Sequence, residues 1–200
     1  MDSTWVCLAS GPSQNAEDIE LVRQWRAEDP SARKVISANC TTFDALWCDA
    51  MYAMDSAWWK EFGLKLFRAG YKGQKYCLFS KDALHYQAKS LPHKHCTQTG
   101  MACLLTAKHL GARHIILLGY DASIPYQSDA EAQDGHTVQT HHHNKYNGTR
   151  LGTCAEAAQL WPSQYVRLAP SIVSTTTVVN CSRSTKIEVF PKDLLENQLK

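Results

Sequence analysis

Three adjacent histidines, His141, His142 and His143, stand inside a polar stretch of the chain, with His136 upstream and Asn144 beside them. An imidazole titrates near neutrality, so any of the three can take a proton from a hydroxyl and act as a general base. Side chains of adjacent residues in an extended loop point in different directions. The triplet therefore makes a poor metal site, and its spacing to the cysteines matches no zinc finger. A catalytic or substrate-contacting histidine and a plain solvated loop both fit the residues. Two further segments could hold an anion. Gly11-Pro12-Ser13 lies between an apolar run and a helical pattern, where backbone amides and a hydroxyl converge and the helix dipole favours negative charge. It is neither G-x-G-x-x-G nor a P-loop, and an ordinary strand-to-helix turn would look the same. Gln98-Thr99-Gly100 offers a hydroxyl and a glycine at a second helix start, which suits a phosphate and equally suits a simple cap.

The elements that must position these residues follow from apolar patterning. Short β-rich runs cover Thr4 to Ser10, Lys34 to Asn39, Asp49 to Met54, Gln74 to Phe79, Arg113 to Leu118 and Thr176 to Asn180. The run Arg113 to Leu118 is almost wholly apolar, as expected of a strand buried on both faces. Helical spacing covers Asn15 to Ala27, with Asn15 as N-cap, then Trp58 to Phe67, and Thr99 to Leu110, stopped by Gly111. Thr153 to Leu168 is a helix candidate that Pro162 should break or bend, and Pro191 to Leu199 reads as a short tail helix. Strands alternating with helices predict an α/β fold around a mostly parallel central sheet. Ligands of such sheets bind beyond the carboxyl ends of the strands. The shortlist is therefore Ser10, Gly11, Pro12, Ser13, Asn39, Asp55, Gly119 to Asp121, and Asn180, joined by Thr99 and Gly100 at the helix start. The polar, His-rich stretch of residues 122–152 is too long for a neutral connector and reads as a functional loop or lid. His93 and His95 flank Lys94 and read as surface residues; Trp58 and Trp59 read as core.

The chain has 200 residues, 44% hydrophobic and 20% charged, with ten Gly and seven Pro. That is the size of one domain, residues 1–200, able to bury about 70–75% of its unfolded surface. Collagen-like, low-complexity and disordered classes are excluded. The longest apolar runs are a handful of residues, far short of a membrane span, and the first residues carry no positive region, so a cytoplasmic location is expected. The net charge of +2 gives no electrostatic mandate for long nucleic acids but leaves a small phosphorylated ligand open. Eight cysteines form no C-x-x-C pair, and free, mostly buried thiols are expected. A homo-oligomer remains open.

The order of strand, Gly11-Pro12-Ser13, helix, strand ending at Asn39, Thr99-Gly100, then Gly111 through Asp121 and a His-containing loop resembles a family of tailed-phage and prophage proteins. The segments Val179 to Ser182 and Val189 to Lys192 look like that family's tail, and the similarity spans nearly the whole chain. More distantly, the order is similar to bacterial CMP-sialic-acid sialyltransferases and to archaeal 6-hydroxymethylpterin pyrophosphokinases. The resemblance implies a three-layer Rossmann-like sandwich with a nucleotide at the strand tips. Gly11, Pro12, Ser13 and Asn39 would approach the nucleotide and its phosphate, Thr99-Gly100 would contact the nucleotide, and one of His141, His142 and His143 would be the general base. The implied activity is glycosyl transfer from a nucleotide-activated donor. The alternatives are a non-catalytic phage protein that sequesters a signalling nucleotide, an ATP-dependent pyrophosphokinase, for which Mg²⁺ would be required, or an assembly protein with a dead site. Departures from the sialyltransferase pattern are visible. That family holds the leaving phosphate with two tyrosines where Tyr120 and Tyr126 are the only near candidates here, its lid is longer, and Thr99 stands where Ser is usual.

Overall fold

In a computed structural model, described for residues 3–93, 96–122 and 160–200, the apolar runs become strands of one parallel sheet. The strands are β1 (Ser3–Leu8), β2 (Arg33–Ala38), β3 (Ala50–Ala53), β4 (Gln74–Cys77), β5 (Lys89–Ser90), β6 (Ala112–Leu118) and β7 (Thr177–Asn180). Their order across the sheet is β5-β4-β3-β2-β1-β6-β7, and every pairing is parallel. Both faces are covered, giving the three layers of a Rossmann-like α/β sandwich. This is why the central strands are apolar at consecutive positions: Val6 to Leu8 and Ile115 to Leu118 are buried on both sides of the sheet.

One face carries α4 (Thr99–His109) and α5 (Trp161–Val173), whose Met101, Leu104, Tyr165 and Ile172 pack over Cys7, Ile115 and Leu117. The other carries α1 (Ala16–Glu28), α2 (Ser56–Arg68), α3 (Ser80–Tyr86) and the short α6 (Leu195–Gln198). Asn15 caps α1 by accepting from the Asp18 amide at 2.7 Å, as the sequence predicts. Trp58 and Trp59 of α2 are core residues, 2% and 0% exposed, and meet edge to face at 5.1 Å.

Several elements differ from expectation. Pro162 does not break a helix; it sits in the first turn of α5, where its missing N–H has no intrahelical partner to lose. Helix α3, strand β5 and a 3₁₀ turn (Asn39–Phe43) had no sequence signal. The tail helix is confined to Leu195–Gln198, because the Asp193 carboxylate gathers the Leu194 amide and the Asn197 and Gln198 side chains at its start. The seven described cysteines are free, and all but Cys96 are buried.

Candidate site at the switch point of the sheet

Strand order reverses between β1 and β6, and sheets of this kind hold ligands outside the carboxyl ends of the strands at such a switch point. Gly11 and Ser13 line it from β1, and Gly119, Tyr120 and Asp121 from β6. The two loops are locked together. The Gly11 amide donates to the Gly119 carbonyl at 2.9 Å. The Ser13 amide and hydroxyl donate to the two oxygens of Asp121 at 2.7 and 2.5 Å. A Cβ at Gly11 would lie 2.4 Å from the Gly119 oxygen and 2.5 Å from the Asp121 carboxyl carbon, so only glycine permits this approach. Gly119 adopts φ +72°, the left-handed turn that aims the chain back across β1. The consequence is electrostatic. Asp121, 2% exposed, supplies the negative charge that the start of α1 attracts. Glu17 and Asp18 add two more acids in the first turn. Ser13, expected to face a ligand, spends both donors on the protein's own carboxylate.

The second helix start is arranged differently. Helix α4 has no acidic residue in its first turn and no side-chain cap on its amides. Gly100 brings it close to the exit of β1: a Cβ there would sit 3.6 Å from that of Ala9 and 3.4 Å from the Tyr120 ring. Tyr120 pins the arrangement, its hydroxyl donating to the Gly100 carbonyl at 2.7 Å. Burial raises its pKa well above the ordinary tyrosine value, so it stays a neutral donor. Tyr165 of α5 donates to Gln98, just before α4, at 3.3 Å. Thr99 is buried, 8% exposed.

Asn39 stands at the exit of β2 in the left-handed region, φ +49°, and its Oδ1 is buried with no hydrogen-bond partner. Backbone strain at a non-glycine residue is the kind of feature that collects at binding sites. The next turn is tied to β1 by a 3.0 Å hydrogen bond between Ser10 and Thr41. Asp55 lies at the exit of β3, two strands from β1, where it precedes α2 without capping it by its side chain. It is solvent-exposed yet flanked closely enough by protein to raise its carboxyl pKa. A groove of about 550 Å³ adjoins the start of α1, walled by Asn15, Ile19 and Arg23 on one side and Asp44 and Trp47 on the other.

Thus Gly11, Pro12, Ser13, Asn39 and Asp121, from strand-end loops, and Thr99 and Gly100, from the first turn of α4, meet at one end of the sheet, while Asp55 stands apart. His141, His142 and His143, with Tyr126 and most of the 122–152 loop, lie outside the described residues. Asn180, on the shortlist as a strand-end residue, turns its side chain into its own loop, donating to Thr185 at 3.1 Å and accepting from the Ser182 amide at 3.0 Å. That loop had no sequence signal. It secures the site from behind: Ser182 meets the Tyr120 amide at 2.7 Å, Thr185 donates to the Tyr120 carbonyl at 2.7 Å, and Arg183 forks onto the buried Asp18 at 2.6 and 2.9 Å. His93 is not a surface residue. It is half-buried between Tyr52 and Thr106, and desolvation, helped by nearby His109, lowers its pKa to about 4. Among the described residues no cluster of three His, Cys, Asp or Glu side chains is placed to hold a metal ion. No protein-family model, curated protein or solved structure matches the chain significantly.

Proposed function

We propose that the protein is a transferase acting on a nucleotide-activated donor held at the carboxyl edge of the sheet. The observation that carries this reading is the start of α4. It is an uncapped, acid-free helix N-terminus, brought by Gly100 against the exit of β1 at the switch point. The start of α1 already has an anion in Asp121, so the donor phosphate belongs on the α4 side. Asn39, with its unpartnered Oδ1, would orient the donor from the β2 side. In the reaction, an acceptor hydroxyl attacks the anomeric carbon of the donor sugar and the bond to the phosphate oxygen breaks. The nucleotide leaves with that bonding pair. The α4 amides stabilise its growing charge, and one of His141, His142 and His143 takes the acceptor proton.

The test is a thermal-shift panel of CMP, CDP, CTP, ADP, ATP, GTP and UTP, each with and without Mg²⁺, repeated on Asn39→Gly. A ligand that binds only the folded state adds about 2.7 kcal/mol at a hundred times its dissociation constant. A metal-independent shift with cytidine nucleotides, followed by turnover that His141→Ala, His142→Ala or His143→Ala abolishes, supports the proposal. Asn39→Gly should melt no lower than wild type, because glycine relieves the strained φ, yet lose most of the ligand shift. A shift with ATP only in Mg²⁺ would favour pyrophosphoryl transfer. A shift with no turnover would favour sequestration, and no shift at all would sink the nucleotide reading.

A further inference from the structure

Helices α2 and α3 lie side by side over one face of the sheet, joined by Trp59 stacked on Tyr86 at 5.3 Å and by Gly63 against the same ring. Their outward sides carry an unusual mixture. Leu84 is 88% exposed, Phe67 71% and Leu64 60%, all large apolar groups left in water. Around them the charge is one-sided. Residues 56–90 hold seven Lys or Arg against two Asp or Glu, a net +5, while the remaining residues of the chain, with fourteen against seventeen, sum to −3. Of those two acids, Asp82 is buried and accepts from Ser56, and Glu61 is already paired with Lys65. Lys60, Arg68, Lys72, Lys81 and Lys89 are exposed and make no ion pair among the described residues.

We propose that this face docks the protein on an anionic lipid surface, with Leu64, Phe67 and Leu84 entering the headgroup boundary and the lysines and Arg68 meeting lipid phosphates and carboxylates. Apolar side chains ringed by cations are what interfacial association requires, since insertion and charge attraction act together. The other occupants fit less well. A second copy meeting the patch through a two-fold axis would set the unpaired cations of one face against those of the other. A nucleic acid would use the cations and could stack on Phe67, but it offers nothing to Leu64 or to Leu84, the most exposed of the three. A helical peptide seats in an apolar groove, whereas these side chains are 60–88% exposed on the outward sides of two helices. The inference does not depend on the donor reading.

The experiment is co-sedimentation of the full chain with vesicles of phosphatidylcholine alone, and with about a third phosphatidylserine, at low and high salt. Wild type should pellet with the anionic vesicles only, and the bound fraction should fall about tenfold as the Debye length shrinks from ~10 to ~3 Å. The triple variant Leu64→Ser, Phe67→Ser, Leu84→Ser and the double variant Lys60→Glu, Arg68→Glu should each stay in the supernatant. Hydrogen exchange on wild type gives the same answer without substitution: vesicles should slow exchange in α2 and α3 and leave α5 unchanged. Absence of pelleting, an apolar variant that pellets like wild type, or a single-stranded oligonucleotide bound through the same cations in place of vesicles would overturn the proposal.

Discussion

Asp121 shows how one side chain reassigns a site. A carboxylate at the start of α1 completes the turn that an external anion would otherwise complete, and Ser13 is its clasp. Ser13→Ala should therefore destabilise the fold by about 1.5–3 kcal/mol, the usual cost of losing a hydrogen bond to a charged group, while leaving nucleotide affinity near wild type. Gly11→Ala should cost about 1–3 kcal/mol, because the atoms its Cβ meets are a backbone carbonyl and a pinned carboxyl that cannot retreat. Urea unfolding of the two variants decides this; a Ser13→Ala chain as stable as wild type would mean the clasp contributes nothing. His93 makes a second prediction at this scale, through pH. Its folded pKa, about 4, lies below the ordinary histidine value of 6.5. The unfolded chain therefore binds the proton more readily, and stability falls as pH drops from 6.5 toward 4. Allowing for the water that still reaches the ring, the loss is about 1–2 kcal/mol. Denaturation midpoints of His93→Gln should fall less than those of wild type over that interval, and parallel curves would exclude His93 as the cause.

Elements of the fold depend on a few close approaches that no single segment reveals. Helices α2 and α3 meet at Gly63, where a Cβ would lie 2.5 Å from the Tyr86 ring. Gly63→Ala should push Tyr86 off Trp59 and cost about 1–3 kcal/mol, although alanine is the better helix former by up to ~1 kcal/mol. A change in near-ultraviolet circular dichroism, with the far-ultraviolet signal retained, would report that displacement; an unchanged near-ultraviolet spectrum would mean α3 simply shifts outward. The strands were readable because burial on two faces demands consecutive apolar residues, and Ile115 to Leu118 has them. The start of α1 was readable because a cap is a local contact, here between Asn15 and Asp18. Helix α3 was not, since it spans only seven residues and points Leu84 into water, which erases the amphipathic period. Strand β5 has two residues at the sheet edge and no pattern to read. At the site, the residue types at the strand ends could be named from sequence. The contact that changes their meaning could not, because Ser13 and Asp121 are 108 residues apart in the chain.

Across the whole molecule the cysteines report cooperativity. They are spread over β1, the 3₁₀ turn, the loop before β3, β4, the segment before α4, α4 itself and the end of β7, so together they sample both core layers. None of the seven described thiols relies on a bridge, and a melting temperature insensitive to reductant is the first consequence. The second concerns reactivity. A thiol attacks only as thiolate, and burial pushes the thiols of Cys48, Cys77 and Cys96 up to about 11 and that of Cys181 to about 12, and raises those of Cys7 and Cys103 well above the ordinary thiol value. Near neutral pH, in the folded state, alkylation should therefore leave the peptides containing these six thiols, and that of the fully buried Cys40, unlabelled on the timescale of minutes. Because the two layers share one sheet, opening either exposes strands that the other needs, and the seven should become reactive together along the urea transition. Mass spectrometry of peptides labelled at each urea concentration tests this directly. Coincident midpoints for Cys7, Cys48, Cys103 and Cys181 mean that the sheet and both helix layers unfold as one unit. A lower midpoint for Cys77 than for Cys7 would show that the β4–β5 edge opens alone, and would make the α2–α3 face a separable part of the fold.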